Sequence, residues 1–417
     1  MKPKVLICAF ACIGAPDRRF GFTESGEGVL GWNIVGQLDR FCESFVLTHN
    51  QNHKLIENRL LTNHLLNTKF YYISLPGWIE KLQGFHVGVQ IYAYIWQIKA
   101  YFFAKKLNKE QKFDVFHHLT YANDWMVSFI GALLPVPYIR GPGGGAHYVP
   151  KEFVKKYTLK ERLAEKVRSV GQWMFRHDPF FIIGQNKARA ILVCNKESFN
   201  ALNKDWQKKA QFFPVNGISS EDFLLFKKQE KNIKNKFLVI TAGKLIKIKG
   251  FDLAIKAFKN FSGKVEEAEL IIIGNGPELV NLKKLTLELS IEEKVIFLGW
   301  LPRGELLQKM SSCDVFLFSS LRDGGGNVVV EAMAAGKPVV CFDLAGPGFH
   351  IDEKCGIKIK PENPEQAIED MAKALEKLYS NRELRIKLGK GAEEKAEKKY
   401  DWNKLGDRLS EIYKKIL

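Results

Sequence analysis

The stretch DVFLFSSLRDGGGNVVVEAMAAGKPVVCFD, residues 314–343, carries the pattern that decides the fold. The apolar run at its start predicts a buried strand, and a second such run begins at Pro338. The residues between them have helical spacing, with Asn327 as the expected N-cap and Gly336 as the expected end. A strand, a glycine loop, a helix and a further strand in succession are typical of a parallel sheet covered by helices.

The same alternation runs through the whole chain of 417 residues, which is too long for one ordinary hydrophobic core. Strand-like runs in the first half are KVLICAF, SFVLTH, KFYYISL, DVFHHL, PYIRG and AILVCN. Those in the second half are KFLVITAG, ELIIIG, KVIFLG, DVFLFSS and PVVCFD. We therefore predict an α/β fold with two Rossmann-like doubly wound domains.

The expected domain boundary lies in FFPVNGISSEDF, residues 212–223, where Pro, Asn and Gly interrupt the pattern. The charged stretch KKQEKNIKNK follows it before the next strand begins. We predict an N-terminal acceptor-binding domain over 1–215 and a C-terminal donor-binding domain over 216–399. A helix over about 400–417 is expected to pack back on the first domain.

The formal net charge of +17 favours anionic partners, namely nucleic acid, acidic lipid headgroups or phosphorylated small molecules. A solvated lysine surface is the alternative explanation of the same charge. We expect no nucleic-acid partner, because the sequence has no RNP-type aromatic motif, zinc finger or basic recognition helix.

Seven cysteines are scattered through the chain without a CxxC pair, which is typical of reduced thiols in a cytosolic protein. The segment MKPKVLICAFACIGA has features of a signal peptide or of a buried first strand, and the α/β pattern that follows favours the strand. Residues 77–107 are rich in aromatics and end in lysines, which is typical of a core helix, of a membrane-interface helix or of a helix that serves as both. No apolar run reaches the roughly 18 residues that a spanning helix needs.

A phosphate site is expected where Gly324, Gly325 and Gly326 precede the helix. Glycines let backbone N–H groups approach a ligand, and the start of a helix carries partial positive charge. Glu331 lies one turn after Asn327, and its carboxylate needs hydrogen-bond partners so near the core. Sugar or ribose hydroxyls would serve, and so would an arginine or lysine of the protein itself.

A second cluster lies in TAGKLIKIKGFDLAIKAF, with Lys244 just past a strand and Lys249 before a helix. Two ammonium groups in one short loop can neutralise a diphosphate. Ordinary surface lysines are the alternative, because lysine is abundant in this chain.

The second half resembles the nucleotide-sugar domain of the family 4 glycosyltransferases, which have the GT-B fold. The matching stretches are AGKLIKIKGFDLAIKAF, ELIIIGNGPELVNLKKL and VIFLGWLPRGELLQKMSSCDVFLFSSLRDGGGNVVVEAMAAGKPVV. FPVNGI resembles the linker of that family, and ESGEGVLGW, DVFHHLTYAND and IRGPGGG resemble a bacterial branch linked to surface polysaccharides. The resemblance implies two domains facing across a cleft.

By the same resemblance, Glu331 binds the donor ribose and Asp323 contacts hydroxyls of the transferred sugar. The family normally has glutamate at the latter position, and the aspartate side chain is one methylene shorter, so the resemblance fixes neither this contact nor the sugar preference. The backbone of residues 324–327 is expected to face the sugar and diphosphate. Lys249 matches the family's diphosphate pair, and Lys244 replaces its arginine, keeping the charge without the bidentate geometry.

In the first domain the resemblance implies a glycine loop near the donor phosphates, for which Gly26 and Gly28 are the candidates. It also implies a histidine that points at the reacting sugar. His117 and His118 are the candidates, although the family's usual spacing of a second histidine is not kept. Alternation along a strand sends the two rings to opposite faces, so at most one is expected to line the cleft.

The resemblance implies a retaining glycosyltransferase that moves a sugar from a nucleoside-diphosphate sugar to a glycan or lipid-linked glycan. Neither a cofactor nor a metal is expected, since the sequence has no DxD motif and no His/Asp cluster with the spacing of metal ligands. A cytoplasmic location with peripheral contact to anionic membrane is our hypothesis. The alternatives are an epimerase or phosphorylase of the same fold, an inactive homologue, or a basic anion-binding protein. The sequence does not indicate an oligomeric state.

Overall fold

The structure is a computed structural model that describes residues 2–17, 21–24, 26–84, 88–227 and 236–417. The chain forms two compact units. Unit 1 comprises Met1–Ala146, Leu163–Val215 and Trp402–Leu417, and unit 2 comprises His147–Arg162 and Asn216–Asp401. The sequence did not indicate that residues 147–162 group with the second unit. Most of the charged stretch at 227–236 lies outside the described residues.

The strands are β1 Lys4–Ala9, β2 Gly14–Asp17, β3 Gly21–Glu24, β4 Glu43–His49, β5 Thr68–Ile73, β6 Val115–Thr120, β7 Tyr138–Gly143, β8 Ala188–Val193, β9 Ala210–Phe212, β10 Phe237–Ala242, β11 Ala268–Ile273, β12 Val295–Gly299, β13 Val315–Phe318, β14 Val339–Phe342 and β15 Gly356–Ile359. The first helices are α1 Gly26–Asp39, α2 His53–Leu60, α3 Gly77–Glu80, α4 Gly88–Gln111, α5 Phe129–Leu133, α6 Lys151–Val154, α7 Leu159–Arg176, α8 Pro179–Lys187, α9 Lys196–Asn200 and α10 Lys204–Gln207. The remaining helices are α11 Ser220–Lys227, α12 Phe251–Ser262, α13 Leu279–Glu288, α14 Arg303–Ser311, α15 Asn327–Ala334, α16 Ala345–His350, α17 Pro364–Ser380, α18 Arg382–Lys399 and α19 Trp402–Lys414.

Unit 1 is built on a parallel sheet with the strand order β5-β4-β1-β6-β7-β8-β9. Its central strand β1 is the segment that the sequence also allowed as a signal peptide. Residues 5–9 of that strand are fully buried, because helices cover both faces of a parallel sheet. An antiparallel hairpin of β2 and β3 follows β1.

Unit 2 is built on a second parallel sheet with the strand order β12-β11-β10-β13-β14-β15. The predicted Rossmann-like arrangement is therefore present in both units. Every strand-like run that the sequence indicated lies on a strand of one of these sheets.

The aromatic segment at 77–107 is mainly a core element of unit 1. Its long helix α4 buries Tyr92 and Trp96, and the Trp96 indole donates a hydrogen bond to the Ile73 carbonyl at 2.9 Å. Trp78 and Phe102 of the same segment are exposed, and residues 85–87 lie outside the described part. In the described residues no helix is long and apolar enough to cross a membrane.

The last helix, α19, belongs to unit 1 and completes one of its cores. It is strongly amphipathic in sequence, and Leu405, Leu409 and Tyr413 are buried in the cluster that also contains residues of β1 and α1. The Tyr413 hydroxyl lies 2.7 Å from Nδ1 of His117 on β6. A buried polar contact thus fixes the C-terminal helix on the central sheet.

His117 is a neutral histidine in this arrangement. Its Nε2 donates to the Gly141 carbonyl, so Nδ1 accepts the hydrogen bond from Tyr413. Burial lowers the pKa of His117 to about 4, although the Gly141 carbonyl opposes the shift. Burial also lowers the pKa of His49 and of His350 to about 4.

Acidification should therefore destabilise the protein. Between the ordinary histidine pKa of 6.5 and about 4, the unfolded chain binds protons that the buried rings do not. The free energy of unfolding should thus fall as the pH falls through this range, as urea titrations at several pH values would measure. His117→Gln should lower stability near neutral pH by about 1–3 kcal/mol and flatten the pH dependence.

The control is His53→Gln on α2, where the side chain is 57% exposed. The buried rings remain in this variant, so its free energy of unfolding should still fall between pH 6.5 and about 4. A His117→Gln profile parallel to that of wild type would contradict the assignment of a neutral buried ring.

Candidate active site

The strand order of unit 2 reverses between β10 and β13. The chain runs from β10 outward through β11 and β12, and then returns to β13 on the other side of β10. In open α/β sheets, ligands bind at the carboxyl ends of the strands where the order reverses. The loops that leave β10 and β13 at this point carry the lysines and the glycines singled out in the sequence.

The loop after β10 lies directly against the loop after β13. Gly250 has φ of 63°, and a Cβ there would lie 2.3 Å from the carbonyl oxygen of Ser319. The backbone N–H of Leu321 donates to the Ile248 carbonyl at 2.9 Å. Only glycine permits this conformation together with so close an approach, so the two loops form one continuous backbone surface.

Lys249 and Asp323 join these two loops through an ion pair between Nζ and Oδ2. The other oxygen of Asp323 accepts backbone hydrogen bonds from Gly325 at 3.2 Å and from Gly326 at 2.8 Å. Burial alone would raise the pKa of Asp323, but Lys249 and the two N–H donors hold it below its usual range. Asp323 therefore organises the glycine loop, and its contact with a sugar hydroxyl stays a prediction.

The helix after the glycines starts one residue earlier than the sequence predicted. Gly326, with φ of 65°, is the N-cap of α15, and Asn327 is the first helical residue. The prediction of Asn327 as the N-cap was wrong, because the side-chain oxygen that accepts the N–H groups before the helix comes from Asp323. Gly336, with φ of 68°, follows the end of the helix as predicted.

The carbonyl of Gly325 accepts a hydrogen bond from His350, a residue that was not among the candidates from the sequence. His350 Nε2 donates to this carbonyl at 2.6 Å, and the Asn216 amide donates to the same oxygen. The Tyr400 hydroxyl donates to Nδ1 of His350 at 2.8 Å. Because burial lowers the pKa of His350 to about 4, the ring is neutral and its single N–H is committed to the loop.

Glu331 is 6% exposed, and its carboxylate bonds to the guanidinium of Arg303. Arg303 also donates to Asp222 at 2.9 Å. Burial disfavours the charge of Arg303, but the two carboxylates outweigh it and raise the pKa. Of the two kinds of partner expected for Glu331, a ligand hydroxyl or a basic side chain, the structure contains the basic side chain. The contact of Glu331 with a ribose stays a prediction.

Lys244 is exposed near the carboxyl end of β10, whereas Lys249 is half-buried beside the ring of Phe318. The structure therefore brings Lys249, Asp323 and the three glycines together. Lys244 lies in the same loop as Lys249, but its contact with phosphate stays a prediction.

In unit 1, Gly26 and Gly28 lie at the start of α1. A Cβ at Gly28 would lie 2.2 Å from the carbonyl oxygen of Ile13, and the Gly28 carbonyl accepts the Ile13 N–H at 2.7 Å. The close approach to the loop that follows β1 thus explains why position 28 is a glycine, while Gly26 is exposed. A role for either glycine in phosphate binding stays a prediction, and Ser25 lies outside the described residues.

His117 and His118 are both fully buried on β6. They face opposite sides of the sheet as alternation predicts, with His117 against Tyr413 and His118 Nε2 3.1 Å from the Gln97 amide. Protein groups contact both ring nitrogens of His117, and its catalytic role stays a prediction. A catalytic role of His118 stays a prediction.

The arrangement in unit 2 suits an anionic ligand that also carries hydroxyl groups. Lysines and the start of a helix attract negative charge, and a buried carboxylate accepts hydrogen bonds from hydroxyls. In the ranges that the structure describes, no group of three or more His, Cys, Asp or Glu is placed to hold a metal ion.

The comparison with protein families places this constellation in a known domain. Residues 223–395 match the model of the family described as Glycosyl transferases group 1. The match contains the loops after β10 and β13, together with Arg303 and Glu331.

Curated relatives of this chain include further glycosyltransferases. An uncharacterized glycosyltransferase of Methanocaldococcus jannaschii is 26% identical over 347 residues, which are 76% of this chain and 80% of that protein. The lipopolysaccharide core biosynthesis glycosyltransferase LpsD of Rhizobium meliloti is 28% identical over 42% of this chain and 49% of its own. The chain thus spans about half the length of the latter relative.

Solved structures share the fold along the whole chain. WaaG, a glycosyltransferase involved in lipopolysaccharide biosynthesis, has a TM-score of 0.60 at 16% identity and covers 98% of this chain and 99% of its own. HepE from Anabaena, solved in complex with UDP-glucose, has a TM-score of 0.59 at 15% identity, with 99% of each chain covered. The chain therefore has the GT-B fold, carries a Glycosyl transferases group 1 domain over residues 223–395, and resembles the glycosyltransferases of surface-polysaccharide synthesis.

Proposed function

We propose that this glycosyltransferase is a retaining, metal-independent enzyme that moves a sugar from a nucleoside-diphosphate sugar to an acceptor hydroxyl. The observation that carries the proposal is the ion pair that joins Lys249 to the glycine loop at the point where the sheet of unit 2 reverses its strand order. Glu331 lies on α15, the helix that this loop leads into. This place takes a phosphorylated ligand in open α/β sheets, and it lies inside the matched family domain.

The donor diphosphate would lie against the loop after β10, where Lys244 and Lys249 supply positive charge. The start of α15 would add its partial charge. Glu331 would bind the ribose through the carboxylate oxygen that Arg303 does not hold. HepE, which has the same fold, was solved with UDP-glucose, and this supports a nucleotide sugar as the donor class.

In the reaction, the bond between the anomeric carbon of the sugar and the diphosphate oxygen breaks, and that oxygen keeps the electron pair. The acceptor hydroxyl forms the new bond to the anomeric carbon, and its proton passes to the departing diphosphate oxygen. Negative charge grows on the leaving diphosphate, where lysines and backbone N–H groups already in position would stabilise it. Attack from the face of departure would retain the anomeric configuration.

The acceptor would be a glycan or a lipid-linked glycan of a bacterial cell surface, handled at the cytoplasmic face of the membrane. The similarity to LpsD and the shared fold with WaaG, both named for lipopolysaccharide synthesis, support this class. The charge of +17 fits an anionic membrane surface as the place of work.

Glu331→Ala and Lys244→Ala should each weaken binding of one nucleoside diphosphate. Removal of a hydrogen bond to a charged group raises Kd by roughly 10- to 100-fold. Calorimetric titration with UDP, GDP, ADP, CMP and TDP in metal-free buffer measures the effect and names the base. The matched controls are Glu288→Ala and Lys360→Ala, exposed residues of unit 2 that should leave Kd unchanged.

Absence of binding by any of these nucleotides to the wild-type protein would overturn the proposal in favour of an inactive homologue. Donor conversion without an acceptor would instead identify an epimerase.

Chelation should leave the enzyme active. Because lysines and helix N–H groups carry the charge stabilisation proposed here, addition of EDTA should change the rate of nucleotide release from the donor by less than about twofold. The measurement compares initial rates with EDTA and with added magnesium or manganese, and NMR of the product reads its anomeric configuration. A rate that collapses with EDTA and returns with metal would contradict metal independence.

A further inference from the structure

Helix α7 presents an apolar stripe to solvent. The stripe consists of Leu159, Leu163, Val167, Val170 and Met174, which are between 50% and 83% exposed. At 100° per residue these side chains fall within an arc of about 80° along one side of the helix. Trp173, also exposed at 62%, lies beside the stripe.

The polar side of α7 faces the protein instead. Gln172 is 3% exposed, and its amide donates to the Gly145 carbonyl, which also accepts from Arg168. Arg176 donates to the Asp124 carbonyl at 3.3 Å. A surface helix of a globular protein normally turns its apolar stripe to the core and its polar side to water. The contacts of α7 fix the opposite orientation.

The charges of α7 are sorted around the stripe. Lys160 and Lys166 are exposed and lie on opposite sides of the stripe, each about 60° from its midline around the helix. Glu161 and Glu165 lie on the opposite side of the helix, where they are only partly exposed. The outward side of α7 is therefore apolar with a cationic border. Lysine side chains at such a border keep their ammonium groups in the headgroup layer while their stems cover apolar surface.

These features match a helix that lies in a membrane interface. Such helices carry a narrow apolar side, an aromatic residue near its edge and cationic residues toward the headgroups. No described helix is both long and apolar enough to cross a membrane, so α7 would lie on the bilayer rather than cross it. The stripe from Leu163 to Met174 is roughly 16 Å long, which suits insertion of three turns parallel to the surface.

We propose that α7 docks this protein on an anionic lipid bilayer, with its apolar stripe in the acyl boundary and Lys160 and Lys166 on acidic headgroups. The docking itself does not depend on the proposed function. Only its purpose, which is to bring the enzyme to a lipid-linked acceptor, rests on that function. It assigns the membrane contact to α7, whereas the sequence had suggested residues 77–107, whose helix α4 is largely in the core.

The test uses the full-length protein and vesicles of phosphatidylcholine, with or without phosphatidylglycerol, in co-sedimentation at low and physiological salt. Wild type should bind the anionic vesicles, and the triple variant Val167→Ser, Val170→Ser, Met174→Ser should bind at least about tenfold more weakly. Lys160→Ser with Lys166→Ser should reduce the preference for phosphatidylglycerol and the sensitivity to salt.

Two controls isolate the α7 stripe. The variant Val280→Ser, Leu287→Ser, Ile386→Ser removes equally exposed apolar side chains from unit 2 and should bind vesicles like wild type. Phe102→Ser tests the exposed part of α4 and should also have no effect. Circular dichroism and the nucleoside-diphosphate Kd of each variant should remain those of wild type, because these side chains are exposed and none is among the residues assigned to the candidate active site.

Wild-type protein that ignores anionic vesicles, or a triple variant that binds them equally well, would overturn the proposal. If light scattering shows an oligomer that only the triple variant disperses, while vesicles are not bound, the stripe is a contact between copies of the chain and the proposal also fails. Vesicle binding through α7 without nucleotide binding would support the docking surface and reject the proposed function separately.

Discussion

The ion pair between Lys249 and Asp323 is the contact on which the candidate site depends. It connects loops from two adjacent strands, and the second oxygen of Asp323 sets the N–H groups of Gly325 and Gly326 before α15. His350 holds the same loop from the other side through the Gly325 carbonyl. Loss of one member would leave a partly buried charge or a buried polar group without its partner, which is costly in a low-dielectric environment. Loop geometry and charge balance are therefore maintained by the same few groups.

The sequence was a good guide to the strands that are apolar runs, including the edge strands β5 and β12, and a poor guide to strands that lack such a run. Central strands such as β1 and β13 are continuous apolar runs because both of their faces are covered. The edge strands β9 and β15 were missed since they are short and partly exposed, and the β2–β3 hairpin has no apolar alternation. Local spacing singled out the glycine loop and its lysine partner, but it cannot indicate partners that only the folded chain brings together, as with Arg303 or His350.

Periodicity also leaves the direction of a helix face undecided. The pattern of α7 is that of an ordinary amphipathic helix, and only the inward hydrogen bonds of Gln172 and Arg176 identify which side meets water. The adjacent histidines show a related limit. Alternation correctly separated the rings of His117 and His118, yet no pattern in the sequence indicated that Tyr413, far along the chain, contacts the first of them.

The position of α19 has a consequence for synthesis of the protein on the ribosome. Unit 2 contains no residue beyond Asp401, whereas Leu405, Leu409 and Tyr413 complete a core of unit 1 that begins at the N-terminus. The core of unit 1 therefore lacks these three side chains until residues 402–417 have left the exit tunnel, whereas all residues of unit 2 are made before them. Domains usually fold in the order of synthesis. Here the apolar strands of the N-terminal half are made first, yet part of the cover over their core is made after the whole of unit 2.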